Sequence, residues 1–393
     1  MQPISEIPSS GGRKKLFALS CRASVLFNVN LFLWYEMKKL TVVSTALLCS
    51  FLAYSQEVDV RLIPRVDVNA YVPADKEASF GVDFGNTSFY TLIEGTFLEN
   101  FSYSISNHWL SVYDSWYAGE GYSSAWEDVA GLYTGTLYSN ANNWLDWANL
   151  TYTLSTEKAG SFEFSAGKDV MAIGGFEIDA YDFDSHFGLN SLFWNYIPVY
   201  QWGGKVGYVT PDESTSIYFQ ATTSPFGGMM FKERQYGAYS LCAYGEYDWY
   251  SGIWSTNFVQ YGKDSYMNII SLGNQFYVSD LTIGVDWMNR AASAKHFFDQ
   301  EMSLMGTLSW NFDDKVELFG KAGWERFRNP VLVGPFYEDI LPENYIFGGV
   351  GVNWYPLEDS QDLRFHALVS ANSLDGTVAI GVGLTYNFSV YSK

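Results

Sequence analysis

The chain is short of positive charge. Among its 393 residues, Lys and Arg number 23 against 43 Asp and Glu, a net charge of −20 at pH 7. Nucleic acid is thereby excluded as a partner, because phosphate recognition needs basic patches. Cysteine is scarce, with only Cys21, Cys49 and Cys242. The first two fall in the leader region described below. The remainder therefore has no intramolecular disulfide and no thiolate metal site, and Cys242 is expected to pack as a small hydrophobe. Long apolar runs are missing too, and a mean hydropathy of −0.07 is too polar for a bundle of membrane helices. The four histidines, His108, His186, His296 and His366, share no zinc-ligand spacing. There is no G-x-S-x-G elbow, no H-E-x-x-H and no Gly-rich phosphate loop. What is abundant is aromatic: 14 Trp, 29 Tyr and 29 Phe, with 35 Gly beside them. That content excludes disorder. An acidic, aromatic, Gly-rich chain of middling hydropathy has the profile of a transmembrane β-barrel, whose lipid-facing and lumen-facing residues alternate so that the average conceals both.

One apolar stretch reads as a secretory leader over residues 37–55. Met37-Lys38-Lys39 is a basic start, Leu40 to Leu52 an apolar core, and Ala53-Tyr54-Ser55 a small-residue cleavage motif ahead of Gln56. The apolar run is too short to span a bilayer well. Residues 1–36 precede the leader and read as upstream sequence from an early start codon. Removing residues 1–55 takes away Arg13, Lys14, Lys15, Arg22, Lys38 and Lys39 against only Glu6 and Glu36, so the remainder is more acidic still.

Beyond the leader the hydrophobic period is two. In 377–388, Val378, Ile380, Val382, Leu384, Tyr386 and Phe388 form one face, and small or polar residues form the other. Residues 301–312 and 315–325 repeat the pattern. Alternation over ten to twelve residues exceeds the roughly 5–6 of an ordinary soluble strand and suits a tilted membrane strand of about 9–11. Such segments predict strands at 79–84, 88–97, 101–110, 146–155, 161–169, 199–209, 214–222, 236–249, 253–262, 266–277, 281–290, 301–312, 315–325, 344–355, 363–372 and 377–388. Residues 66–72 stand as a replacement or extension for the first. The expected fold is all-β, a closed antiparallel barrel of about 16 strands, over residues 76–388. Residues 56–75 are expected to be a periplasmic N-terminal segment and 389–393 a C-terminal tail. The connections alternate between short turns, such as those at Pro211-Asp212 and Asp313-Asp314, and longer loops, so periplasmic and external ends can be told apart. Trp287, Trp310, Trp354, Tyr355 and Tyr386 are candidates for interfacial belts.

Several residues carry a family resemblance. The final strand, ending Tyr386-Asn387-Phe388, is similar to the terminal strand of outer-membrane barrels, though Ser389 to Lys393 follow it. Three stretches resemble the phosphate-selective porin O and P group and related barrel porins: 93–97 with 101–103, 143–148 with 150–152, and Gly167-Lys168 through Gly174-Gly175-Phe176-Glu177. The resemblance spans roughly residues 75–388. It implies a passive diffusion porin of the cell outer membrane, homotrimeric, with membrane lipid and small polar solutes or ions as partners. Phosphate selection does not carry across, because it needs a ladder of lumen-facing Arg and Lys. By alternation the basic lumen candidates are Lys205, Lys315, Lys321 and Arg364.

In the general porin layout the third external loop folds inward. Here that connection is 170–198, with Glu177, Asp179, Asp182 and Asp184 and no Lys or Arg. These acids are the candidate pore constriction, and with the net charge they lead to an expected weak cation preference. The spacing Asp179-x-x-Asp182-x-Asp184 is open to three readings: a solvated loop, a pore lining, or a Ca²⁺ site lacking the Gly and terminal Glu of an EF-hand. No other cofactor and no enzymatic role are expected. The alternatives are a surface adhesin or structural barrel, for which loop 111–145 offers Trp116, Tyr117, Tyr122, Trp126, Tyr133 and Tyr138, and an outer-membrane hydrolase barrel, for which Asp184-Ser185-His186 is the nearest sequence feature.

Overall fold

The computed structural model describes residues 56–393 apart from 74–79, 85–86, 112–144, 157, 180–190, 192, 194–198, 227–235, 293–296, 299, 314, 329–342, 359 and 374–375. Its strands, in chain order, are β1 (Glu57–Val72), β2 (Gly81–Asp83), β3 (Ser88–Phe97), β4 (Phe101–Ser111), β5 (Leu145–Thr156), β6 (Gly160–Val170), β7 (Tyr200–Val209), β8 (Thr215–Thr223), β9 (Gly237–Tyr247), β10 (Tyr250–Gly262), β11 (Ser265–Val278), β12 (Leu281–Ala291), β13 (Glu301–Asn311), β14 (Val316–Phe327), β15 (Asn344–Trp354), β16 (Leu363–Asn372), β17 (Val378–Tyr386) and β18 (Phe388–Ser392). From β3 to β17 each strand pairs antiparallel with the next. Among the described residues no helix is long and apolar enough to cross a membrane.

Strand β1 turns the sheet into a barrel. Along one edge, Glu57–Arg65 pairs with β3 and Asn69–Tyr71 with β2. Along the other, Arg65–Val72 pairs with β17 and Asp59–Leu62 with β18. Thus β2 and β3 are one interrupted strand, β17 and β18 another, and the wall has 16 strands. Two boundaries expected from sequence are corrected. The stretch 56–75 is not a periplasmic segment ahead of the barrel, since Glu57–Val72 within it is the first strand, and Gly81–Asp83 heads the second. Residues 389–393 are not a free tail, since β18 pairs with β1 and Lys393 exchanges backbone hydrogen bonds of 2.9 and 3.2 Å with Val58. The physical reason for the first miss is Pro64, which cannot donate to a ladder and reads as a strand breaker. The alternation of Val60, Leu62, Val66 and Val68 against Arg61, Arg65 and Asp67 continues on both sides of it.

The burial pattern is inverted relative to a water-soluble protein. On β17 Val378, Ile380 and Val382 face outward while Ala379 is buried; on β13 Leu304, Leu308 and Trp310 face outward while Glu301, Ser303 and Met305 are buried. An apolar exterior around a polar interior is stable only in lipid. One end of the barrel carries the short connections, 98–100, 157–159, 210–214, 248–249, 279–280, 312–315 and 355–362, and both chain ends of β1 and β18. There the backbone takes positive φ at Leu98, Glu99, Glu213, Ser279 and Asp313, as tight turns require. Aromatic pairs recur close to that end: Phe97–Phe101, Phe101–Tyr152, Phe162–Tyr208, Tyr247–Tyr250, Trp249–Phe276, Trp310–Phe312, Trp354–Phe365 and Tyr386–Phe388. This band is the arrangement expected at a membrane–water interface. Trp287 instead packs on Phe298 toward the opposite end, where the long connections lie.

The closing seam is fastened from inside. Arg65 donates to Asp67 at 2.6 and 2.9 Å, and Nε2 of His366 on β16 lies 3.2 Å from the same carboxylate. Strand β17 runs between them, and Gly383 lies opposite both Asp67 and His366. A Cβ at Gly383 would stand 2.3 Å from the Asp67 carboxylate and 2.7 Å from His366 Nε2, so the absence of a side chain is what lets the two strands' residues meet. Gly383→Val is expected to destabilise the barrel by about 1–3 kcal/mol through overpacking at this seam. A lowered urea midpoint of the refolded protein in lipid vesicles is the readout, and an unchanged midpoint would show that the seam contact contributes nothing.

Candidate pore constriction

The chain leaving β6 does not rise away from the barrel; it turns across the inner wall. Met171, Ala172 and Ile173 are buried, followed by Gly174, Gly175 and one helical turn, α1 (Phe176–Asp179). Lumen-facing groups of successive strands hold this segment. The Ala172 N–H donates to Gln220 Oε1 at 2.6 Å, and Gln220 Nε2 donates back to the Val170 carbonyl at 2.9 Å. The Gly174 N–H donates to Ser255 Oγ at 2.6 Å, and Ser271 Oγ donates to the Gly174 carbonyl. The Glu177 N–H donates to Asp286 Oδ2 at 2.8 Å. The segment thus crosses β8, β10, β11 and β12 in turn.

Gly175 makes the crossing possible. Its φ of 104° lies in the region that favours glycine, and a Cβ there would stand 2.8 Å from Ser271 Oγ and 2.9 Å from Met288 Cε. Gly273 lies beneath it, where a Cβ would come within 2.6 Å of the Gly175 Cα. Backbone is laid on wall without intervening side chains. Beside this contact, Ala172 and Phe176 cover Cys242 and Ile253 in a small apolar cluster, and Cys242 is 0% exposed.

The returning limb is pinned by Glu325 on β14. Its carboxylate accepts from Ser191 Oγ, from the Phe193 N–H at 3.0 Å and from Ser303 Oγ at 2.9 Å. The two limbs are tied to each other where the Ser191 N–H donates to Glu177 Oε1 at 3.2 Å. Phe193 is fully buried, with the Arg290 guanidinium 4.9 Å from its ring and Phe327 stacked at 6.5 Å. Arg290 is in turn ion-paired with Glu301.

The sequence-predicted acids divide accordingly. Glu177 is on the inserted segment, but it forms an ion pair with Lys321 and so is not an open carboxylate in the pore. Asp179 ends the helical turn, and Asp182 and Asp184 lie outside the described residues, as do His186, His296 and the aromatics of 112–144. Among the basic candidates, Lys205 faces the lumen 3.2 Å from Asp169, and Lys321 meets Glu177. Arg364 donates to Thr385 Oγ1 at 3.2 Å, while Lys315 precedes β14 in a short turn. Arg61 and Arg65 were missed because, within 56–75, a strand was offered only over 66–72 and the rest was assigned to a periplasmic segment. Asp286 and Glu325 were missed as anchors, although their signal is present: each is an acid among small or apolar residues on a lumen-facing register. His108 does find a carboxylate, with Nδ1 2.7 Å from Asp146 Oδ1. Among the described residues, no group of three or more His, Cys, Asp or Glu is placed to hold a metal.

No family model and no curated protein matches this chain. Solved structures do. The outer membrane channel DcaP of Acinetobacter baumannii superposes with a TM-score of 0.52 at 12% identity, covering 84% of this chain and 97% of that one. OmpT, an outer membrane protein of Vibrio cholerae, gives 0.51 at 10% identity over 84% of this chain and 98% of its own; its loop L8 deletion mutant gives 0.51 at 12% over 84% and 99%. The chain therefore has the fold of an outer-membrane β-barrel. The likeness is to such barrels in general and does not reach the phosphate-selective group in particular.

Asp286→Ala combined with Glu325→Ala removes the carboxyl acceptors of three segment donors. Each such buried bond left unmade costs about 1–3 kcal/mol. Alkylation at Cys242, read by peptide mass, is expected to accelerate at least tenfold as the segment lifts. Unchanged protection of Cys242 would show that the apolar cluster alone holds it down.

Proposed function

We propose that the protein is a porin, a passive diffusion channel for small polar or charged solutes across an outer membrane. A barrel of about 16 strands is wide enough to leave a water-filled lumen, whereas one of about 8 is filled by its own side chains. The observation that carries the reading is the inserted segment, anchored residue by residue to the wall from Gln220 to Glu325. It narrows the lumen on one side with fixed polar groups. Such a constriction sets a size limit without chemistry, and the protein accordingly acts as a channel and not as an enzyme. Its working form is a homotrimer, reached after removal of the leader near Ser55.

A weak preference for cations belongs to the same proposal. The acids of the inserted segment give it less support than their sequence promises, because Glu177 is neutralised by Lys321. The wall supplies more. Asp59, Glu94, Glu163, Asp169 and Glu317 face the lumen and keep part of their surface open, against Arg61, Lys205 and Arg364. Partly open carboxylates in a low-dielectric tube raise the local cation concentration.

Planar-bilayer recording of the refolded protein in a KCl gradient tests both parts. Openings grouped in threes, with a reversal potential displaced toward that of K⁺, are expected. Displacement toward Cl⁻ would refute the preference, and a folded barrel that never conducts would refute the channel.

A further inference from the structure

The inner wall holds one ammonium of its own between a carboxylate and a ring. Lys205 Nζ on β7 lies 3.2 Å from Asp169 Oδ2 and 5.4 Å from the ring centroid of Tyr218 on β8. Gly207 leaves room for that ring, since a Cβ there would stand 2.3 Å from it. The Tyr218 hydroxyl donates across β7 to Glu163 Oε2 at 3.0 Å. This arrangement suits a cation, because the negative face of the ring attracts it and the acid balances its charge.

The same two groups recur on β9. Tyr244 meets Tyr218 edge to face, with ring centroids 5.6 Å apart and planes at 84°. Tyr244 and Glu246 share the register of Cys242, which the inserted segment covers, and alternate with Tyr247 of the outer aromatic band. Both therefore face the lumen. Same-face neighbours on a strand stand about 7 Å apart, close enough for one solute to touch both. Tyr244 is 37% exposed, and Glu246 is exposed as well. Other lumen acids in this half of the barrel are engaged. Asp59 and Glu94 meet Arg61, Asp169 meets Lys205, Glu163 meets Tyr218, and Glu317 meets Ser309 and Asn353. The Glu246 carboxylate has no ion pair and no hydrogen bond among the described residues.

Their position places them on the path of a solute. Tyr244 pairs across the ladder with Ile253, which Ala172 and Phe176 of the inserted segment cover. Tyr244 and Glu246 are thus the next lumen-facing groups of β9 on the short-turn side of the segment. Ring faces are a recurrent means of recognising quaternary ammonium groups. We propose that Tyr244 and Glu246 form a docking point for the ammonium group of an organic cation, so that organic ammonium compounds are a solute class of this channel. The proposal rests on the channel reading and names a solute class for it.

Choline added to the conducting protein in a planar bilayer is the test, with its uncharged carbon isostere dimethylbutanol as control. A saturable partial block of the K⁺ current by choline alone is expected. Tyr244→Leu should raise the half-block concentration about two- to fivefold, the range of an exposed cation–ring contact. Glu246→Gln should raise it as well, while Tyr244→Phe, which keeps the ring, should leave it unchanged. Heat-modifiable electrophoretic mobility shows separately that each variant is folded. A conducting channel with no saturable block by choline would overturn the docking point. So would a block that survives both Tyr244→Leu and Glu246→Gln, or an equal block by dimethylbutanol. A folded barrel without any conductance would overturn the channel reading and the docking point with it.

Discussion

Backbone hydrogen bonding in the absence of water governs this structure. Each N–H or C=O left unpaired in hydrocarbon costs several kcal/mol, so a sheet in lipid is admissible only without edges. The chain meets that demand with β1, which pairs with β2 and β3 along one side and with β17 and β18 along the other. The remaining features follow from it. Closure forces an inside and an outside, and two-residue periodicity then sorts every strand into an apolar exterior and a polar lumen.

The lumen would be a plain polar tube without the described residues 171–179, 191 and 193. Their course shows how a connection is kept inside a barrel. It carries its own apolar patch onto Cys242 and Ile253, presents glycine where backbone meets wall, and hands its N–H groups to Asp286 and Glu325. The wall contributes fixed acceptors, and the segment contributes donors that would otherwise be buried without partners. The result is a segment held to the inner wall by many small contacts distributed over several strands.

The fold was legible because its physical cause, the alternation of apolar and polar residues, is written locally. Residues 377–388 and 301–312 could be sorted into outward and inward faces by inspection, and the structure sorts them the same way. Two end segments were less legible. Pro64 interrupts the ladder of β1 without interrupting its alternation, and the residues after Phe388 become a strand only because β1 is there to receive them. The inward course of the third long connection was legible through resemblance, but the partners were not. Lys321 stands 144 positions from Glu177, and Glu325 stands 134 from Ser191, and no local pattern announces contacts of that span. An acid on the lumen face of a strand reads as pore lining until the structure supplies the donor that occupies it.

The seam has a kinetic meaning as well. Ser389 donates to Asp59 across 330 positions of sequence, and β1 finds its final neighbour only in the last strands to be made. No shorter portion of this chain closes on the same pairing, and contacts of such separation form slowly because a large loop must be ordered first. The open edge of β1 is therefore unpaired until β17 and β18 have formed. A passing strand of another molecule can pair with it during that interval. Arg61, Arg65 and Asp67, which end as groups of a closed lumen, sit during assembly on an unpaired strand, where their charges discourage joining to the wrong partner.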